Sequence, residues 1–237
     1  MRLWPTLHIA ILLTTIATSA GAGRPLSTDD AATADAGVCQ LESWVETAGS
    51  EAALVLAPAC GVAAGLELDI DYTLPRRHPE LRGASSLALK WVPDAARADT
   101  PFGGLQVGLK LRTAFEHPVG DNWSNAQSSL LALVTLSVGD DWALHANLGP
   151  VRDRRSGLSA TLLNVAAAWA PSDRTLLFVE SQVNDRSQLF GGSVSSVGGA
   201  WWLVPDRFGL HLTASRGPGT DRLTIWTAGF GWYGIGL

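Results

Sequence analysis

The stretch "GLQVGLKLRTAFE", residues 104–116, decides the fold. Leu105, Val107, Leu109, Leu111, Thr113 and Phe115 fall on one side of an extended chain, and Gln106, Gly108, Lys110, Arg112, Ala114 and Glu116 on the other. Side chains alternate faces along a strand, so strict period two marks a strand with one apolar and one polar face. The pattern recurs in "GLELDIDYTL" (65–74), where Leu66, Leu68, Ile70, Tyr72 and Leu74 oppose Glu67, Asp69 and Asp71. It recurs again in "SSLALKW" (85–91), where Leu87, Leu89 and Trp91 oppose Ala88 and Lys90. No long window carries a helical period.

Read outward from these three, the alternation predicts twelve strands, near 39–48, 51–60, 64–74, 84–92, 103–116, 125–138, 142–149, 158–169, 174–183, 191–203, 208–216 and 222–237. From residue 117 onward, tight connections such as "GDD" (139–141) and "VPDR" (204–207) alternate with longer polar ones, as in outer-membrane barrels. The first hairpin and "VPDAARADTPFGG" (92–104) do not follow that rhythm. The chain ends on "RLTIWTAGFGWYGIGL" (222–237), apolar and alternating to Leu237, where a polar, frayed tail is the norm. A last strand paired with the first would close the sheet and leave no exposed edge.

Alternation alone does not separate a soluble barrel or sandwich, apolar faces inward, from a membrane barrel with those faces outward. Composition favours the membrane. Only 16% of the 237 residues are charged, against about 25% in ordinary soluble domains. Of ten tryptophans, Trp91, Trp142, Trp169 and Trp201 fall near strand ends, where an aromatic girdle sits. The polar faces are rich in small residues, as a narrow lumen requires. The expected fold is therefore all-β: an up-and-down antiparallel transmembrane β-barrel of about twelve strands. A net charge of −5 gives no electrostatic basis for nucleic-acid binding.

Residues 1–22 read as a signal peptide, with a short apolar run and "AGA" (20–22) as the cleavage site. Residues 23–38, polar, small and acidic, read as a flexible leader in which Asp29 and Asp30 are solvated, and the barrel would occupy 39–237. Two cysteines suit an oxidising compartment. If Gly49-Ser50 is a two-residue hairpin turn, Ala48 faces Glu51 and, nine steps on, Cys39 faces Cys60. That is a non-hydrogen-bonded pair, close enough for a cross-strand disulfide.

"RPLSTDDAATADAGVCQLESWVE" (24–46) resembles the opening of the outer-membrane barrels named for the meta-pathway of phenol degradation, a transporter-like family. Pro25, Leu26, Thr28, Asp29, Asp30 and Ala31 match its first element, and Gly37, Gln40, Leu41 and Glu42 its second. The resemblance implies a barrel in the outer membrane of a Gram-negative bacterium and says little about a solute.

The polar faces would line the lumen with Glu67, Asp69, Asp71, Lys90, Lys110, Arg112, Glu116, His145, Glu180 and His211. Acidic and basic strands side by side can form cross-strand ion pairs. Such a lining serves either as a polar path for a solute or as a salt-bridged filling that holds a narrow barrel shut. No G-x-S-x-G, H-E-x-x-H, C-x-x-C or P-loop occurs, so neither an enzyme nor a cofactor nor a metal is expected. The expected function is passive passage of small solutes, hydrophobic ones included. The alternatives are a structural or surface-interaction barrel with a plugged lumen, and a soluble periplasmic barrel binding an apolar ligand. Expected partners are outer-membrane lipids and, through the C-terminal strand, the barrel-assembly machinery.

Overall fold

The computed structural model describes residues 26–76, 78, 80–186, 193–217 and 224–236. The expected signal peptide and Leu237 lie outside them. In chain order the strands are β1 (Val38–Ala48), β2 (Glu51–Ala63), β3 (Leu66–Arg76), β4 (Leu81–Trp91), β5 (Arg97–Thr100), β6 (Gly103–Pro118) and β7 (Ser124–Val138). They continue as β8 (Trp142–Asp153), β9 (Ser159–Ser172), β10 (Thr175–Asn184), β11 (Val194–Val204), β12 (Phe208–Arg216) and β13 (Thr224–Gly236).

Twelve of these form a closed antiparallel barrel. Each pairs with its sequence neighbours, β4 pairs directly with β6, and the seam joins β1 to β13 from Val38↔Gly236 to Ala48↔Ile225. Closure satisfies the backbone groups that an open edge would expose to lipid. The extra strand, β5, follows a single 3-10 turn at Asp94–Ala96. It extends the edge of β6 beyond the end of β4, from Arg97↔Gln106 to Thr100↔Gly103. Pro93 and Pro101 bracket it, and its four residues carry no apolar alternation, so the period-two reading passes over it.

The first hairpin has the predicted register. Gly49 takes φ +60° in the turn, Ala48 faces Glu51, and Cys39 faces Cys60. A disulfide joins the two cysteines with Cα atoms 4.0 Å apart. Val38 and Gly236 share the rim that also carries the short turns 64–65, 139–141, 173–174 and 205–207. The opposite rim carries the connections 119–123 and 154–158.

Exposure fixes the orientation of the faces. On β6, Leu111 is 54% exposed, while the side chain of the adjacent Lys110 is 12% exposed. Leu68 of β3, Leu89 of β4, Leu130 of β7, Leu148 of β8 and Leu212 of β12 face outward in the same way. Trp91, Trp142, Trp169, Trp201 and Trp232 are exposed near the short-turn rim, and the rings of Trp142 and Trp169 stack at 5.7 Å across β8 and β9. An outer apolar band with an aromatic belt around an ionic interior is the arrangement of a membrane-spanning barrel. It rules out the soluble alternative, whose interior would have to be apolar.

Candidate functional site

The interior is not an empty tube. Residues 26–37 run through it. Leu26, Thr28, Asp30 and Ala31 are buried, Ala31 completely. The flexible leader expected over 23–38 is thus corrected for its described part: it is a segment inserted in the lumen, and Asp29 and Asp30 are not solvated. We call residues 26–37 the plug.

The inward faces of the strands receive the plug's backbone with side chains. The N–H groups of Ser27 and Thr28 and the Thr28 hydroxyl all donate to the Glu180 carboxylate on β10, at 2.9–3.2 Å. Asn147 on β8 accepts from the Asp29 N–H and donates to the Asp29 carbonyl, both at 2.8 Å. The Ala31 N–H donates to Thr135 Oγ1 on β7 at 2.8 Å. The Ala34 N–H donates to Glu67 on β3 at 2.7 Å. Gly37 N–H then reaches the Gly61 carbonyl on β2 at 2.8 Å, and the chain enters β1. The plug therefore crosses the lumen from β10 to β2. A buried N–H without a partner is costly, so a wall that supplies this series of acceptors is built for this backbone.

The plug's carboxylates find the two lysines of the chain. Lys90 Nζ lies 3.3 Å from Asp30 and 3.2 Å from Glu67, with all three side chains almost fully buried. Lys110 Nζ lies 3.0 Å from Asp29 and 2.7 Å from Asp69. Lys90 and Lys110 face each other directly in the β4–β6 register. Two like charges directly opposed are destabilising on a sheet unless neutralised, and here each is flanked by one carboxylate from β3 and one from the plug. Apolar contacts hold the plug at both ends of this ionic stretch. Leu26 packs with Ala166, Ala168 and Phe178, and Ala31 packs with Val92, Leu131 and Leu133. Val92 turns inward over Gly108, where a Cβ would collide with its side chain.

The remaining sequence candidates sort by height and by side. Asp71 pairs with Arg112 at 3.2 Å, and Ser86 bridges them. His145 on β8 is buried against Thr135, 2.9 Å from its hydroxyl. His211 on β12 is buried beside Gly229. Glu116 lies at the long-loop rim, bound to Arg155 at 2.7 Å, apart from the others. Glu67, Lys90, Lys110 and Glu180 thus contact the plug directly, and Asp69 does so through Lys110. Sequence reasoning missed Thr135 and the docking of Thr28, Asp29 and Asp30. The available signal was the placement of both lysines on inward faces of strands adjacent in the sheet, where opposed like charges call for carboxylates to neutralise them.

Next to the plug, toward the long-loop half, lies a cavity of about 310 Å³. The wall lines it with Lys110, Arg112 and the amides of Gln127, Asn164, Gln182 and Asn184, and the plug adds Ser27 and Asp29.

The family match spans this plug and the strands that grip it on one side, over residues 9–156, more than half of the chain. The chain belongs to the family described as "Uncharacterised conserved protein UCP029691". No curated protein sequence matches it. Among solved structures, it is similar to the NanC porin, with a TM-score of 0.61 and 7% identity over 82% of this chain and 98% of that one. It is similar to the KdgM porin, with a TM-score of 0.59 and 10% identity over 81% and 98%. It is also similar to the COG4313 outer membrane channel from Pseudomonas putida F1, with a TM-score of 0.54 and 10% identity over 88% and 99%. At such identities the likeness is one of fold, and the fold is that of Gram-negative outer-membrane barrels. None of the three names phenol degradation.

Proposed function

We propose that this UCP029691 member is an outer-membrane channel for passive passage of small polar solutes, held closed by its own plug. The observation that carries this reading is the way the plug is bound. It contributes no strand to the barrel, and the polar contacts that seat residues 27–34 are side-chain hydrogen bonds and ion pairs from a wall that closes without them. A segment bound like a ligand can leave like one. Side chains that simply filled a barrel would need no such cradle. Hydrophobic solutes, included in the expectation from sequence, are the less favoured cargo, because two cations and four amides line the cavity beside the plug together with Leu131, Leu162, Val183 and Val194. Outer-membrane lipids would cover the leucine band, and β13 would serve as the strand read by the assembly machinery. The pathway involves no chemical step.

Planar-bilayer recording tests it. The full chain should be nearly silent. A variant lacking residues 26–36, folded by the criterion of heat-modifiable gel mobility, should carry at least about tenfold more current through a polar lumen. A folded deletion variant that stays silent would overturn the channel and leave a closed structural barrel.

A further inference from the structure

The plug shows what the lumen recognises. Within residues 27–30 it presents backbone N–H donors to one wall and carboxylates to the other: Ser27 and Thr28 N–H to Glu180 on β10, Asp29 and Asp30 to Lys110 and Lys90 on β6 and β4. The chain bends at Ser27 and Thr28, so these four residues span less than the roughly 13 Å that full extension at ~3.3–3.6 Å each would give. The wall therefore reads two features at once, across a distance set by a very short peptide.

We infer that the solute of this channel is a short acidic peptide, of two or three residues, that takes the place of Asp29 and Asp30 on Lys90 and Lys110 and sets its amine or amide N–H groups on Glu180. This rests on the channel reading given above. The adjoining cavity is consistent in charge. The wall lines it with two cations, Lys110 and Arg112, and the carboxylate among its lining residues is the plug's own Asp29. Once the plug withdraws, that lining is cationic and amide-rich. At about 310 Å³ it holds the volume of roughly ten waters at ~30 Å³ each, enough for a dipeptide. A dicarboxylate lacking N–H donors would satisfy the lysines and leave Glu180 unpaired beside it. A neutral peptide would satisfy Glu180 and leave the lysine pair without the second carboxylates it has in the plugged state. An acidic peptide meets both walls, as the plug does. On this account the plug is a tethered competitor of the solute.

The test uses the full chain carrying Asp29→Asn and Asp30→Asn, which keeps the plug's backbone but removes its hold on the lysines. If that variant does not fold, Asp29→Asn alone is used, with Asp30 still on Lys90. Planar-bilayer current is recorded while aspartyl-aspartate, asparaginyl-asparagine or succinate is added on the long-loop side. The expected half-blocking concentration for aspartyl-aspartate is at least about tenfold lower than for the other two, the factor one charge-assisted contact supplies. Adding Glu180→Gln should erase its advantage over succinate, and adding Lys110→Ala its advantage over asparaginyl-asparagine. Equal block by all three in a conducting variant would overturn the acidic-peptide site and leave the channel standing. If no current flows, titration calorimetry on the folded variant in detergent decides. Preferential binding of aspartyl-aspartate would support the site while the channel reading falls. No preferential binding would overturn both.

Discussion

Lys90 and Arg112 sit on neighbouring strands, both paired to carboxylates, and exposure makes them unequal. The Lys90 side chain is 6% exposed and the Arg112 side chain 43% exposed. Removing one partner of a buried ion group leaves the other charge stranded and costs about 3–5 kcal/mol, whereas an exposed pair contributes about 0–1 kcal/mol. Lys90→Met should therefore lower barrel stability by about 3–5 kcal/mol, and Arg112→Ala by less than about 1 kcal/mol. Denaturant titration of the gel-mobility shift measures both, and equal losses would show that Lys90 is solvated. At this scale much was legible beforehand. Period two put Glu67, Asp69, Lys90 and Lys110 on the polar faces of their strands, because a strand leaves each side chain only two directions, and sparse charge with tryptophans at strand ends made those faces the interior. Their plug partners were not legible, since alternation says where a side chain points and nothing about what meets it.

The plug departs from its sequence reading and the first hairpin follows it, and the range of the contacts that order each is the reason. The plug looks like a solvated tail: small, polar and acidic, with no period. What orders it is distant in sequence, as with Glu180, which lies 152 residues from Thr28. No local pattern reports a contact of that range. The motif that carries the likeness to other barrels, Leu26, Thr28, Asp29, Asp30 and Ala31, turns out to be the set that docks, each residue with its own receptor on the wall. By contrast, the β1–β2 hairpin was legible down to its disulfide, because a two-residue turn fixes every pair that follows. The plug's exit is tied to that hairpin. Ala36 bridges to Gly61, next to Cys60, and a Cβ at Gly61 would collide with the carbonyl oxygens of Ala34 and Asp35. Gly61→Ala should push the exit aside. The expected result is a leakier channel in bilayers, with barrel folding retained. Wild-type silence in a folded Gly61→Ala variant would argue that the plug does not depend on that approach.

For the whole molecule, orientation is the governing fact, and neighbouring positions test it. Leu111 faces lipid near the middle of β6, and Arg112 beside it faces inward. Leu111→Arg should destabilise the barrel in liposomes by about 2–4 kcal/mol, the cost of a lipid-facing cation near the bilayer midplane. Little change in stability would mean that this face meets water. The overall fold could be read in advance because one-sided alternation, sparse charge and tryptophans at strand ends agree with one another. The occupancy of the lumen could not, because it depends on closure bringing β3 and β10 to opposite sides of one narrow space.

The account stands on the plug being inside the barrel, and thiol labelling measures that directly. The described residues hold no free cysteine, and Ala31 is wholly buried. In folded protein, Ala31→Cys should react with a maleimide roughly a hundredfold more slowly than after unfolding, as for a site reached only by local opening. Equal rates in the two states, with the barrel still folded, would place residues 26–37 in solvent and contradict the plug.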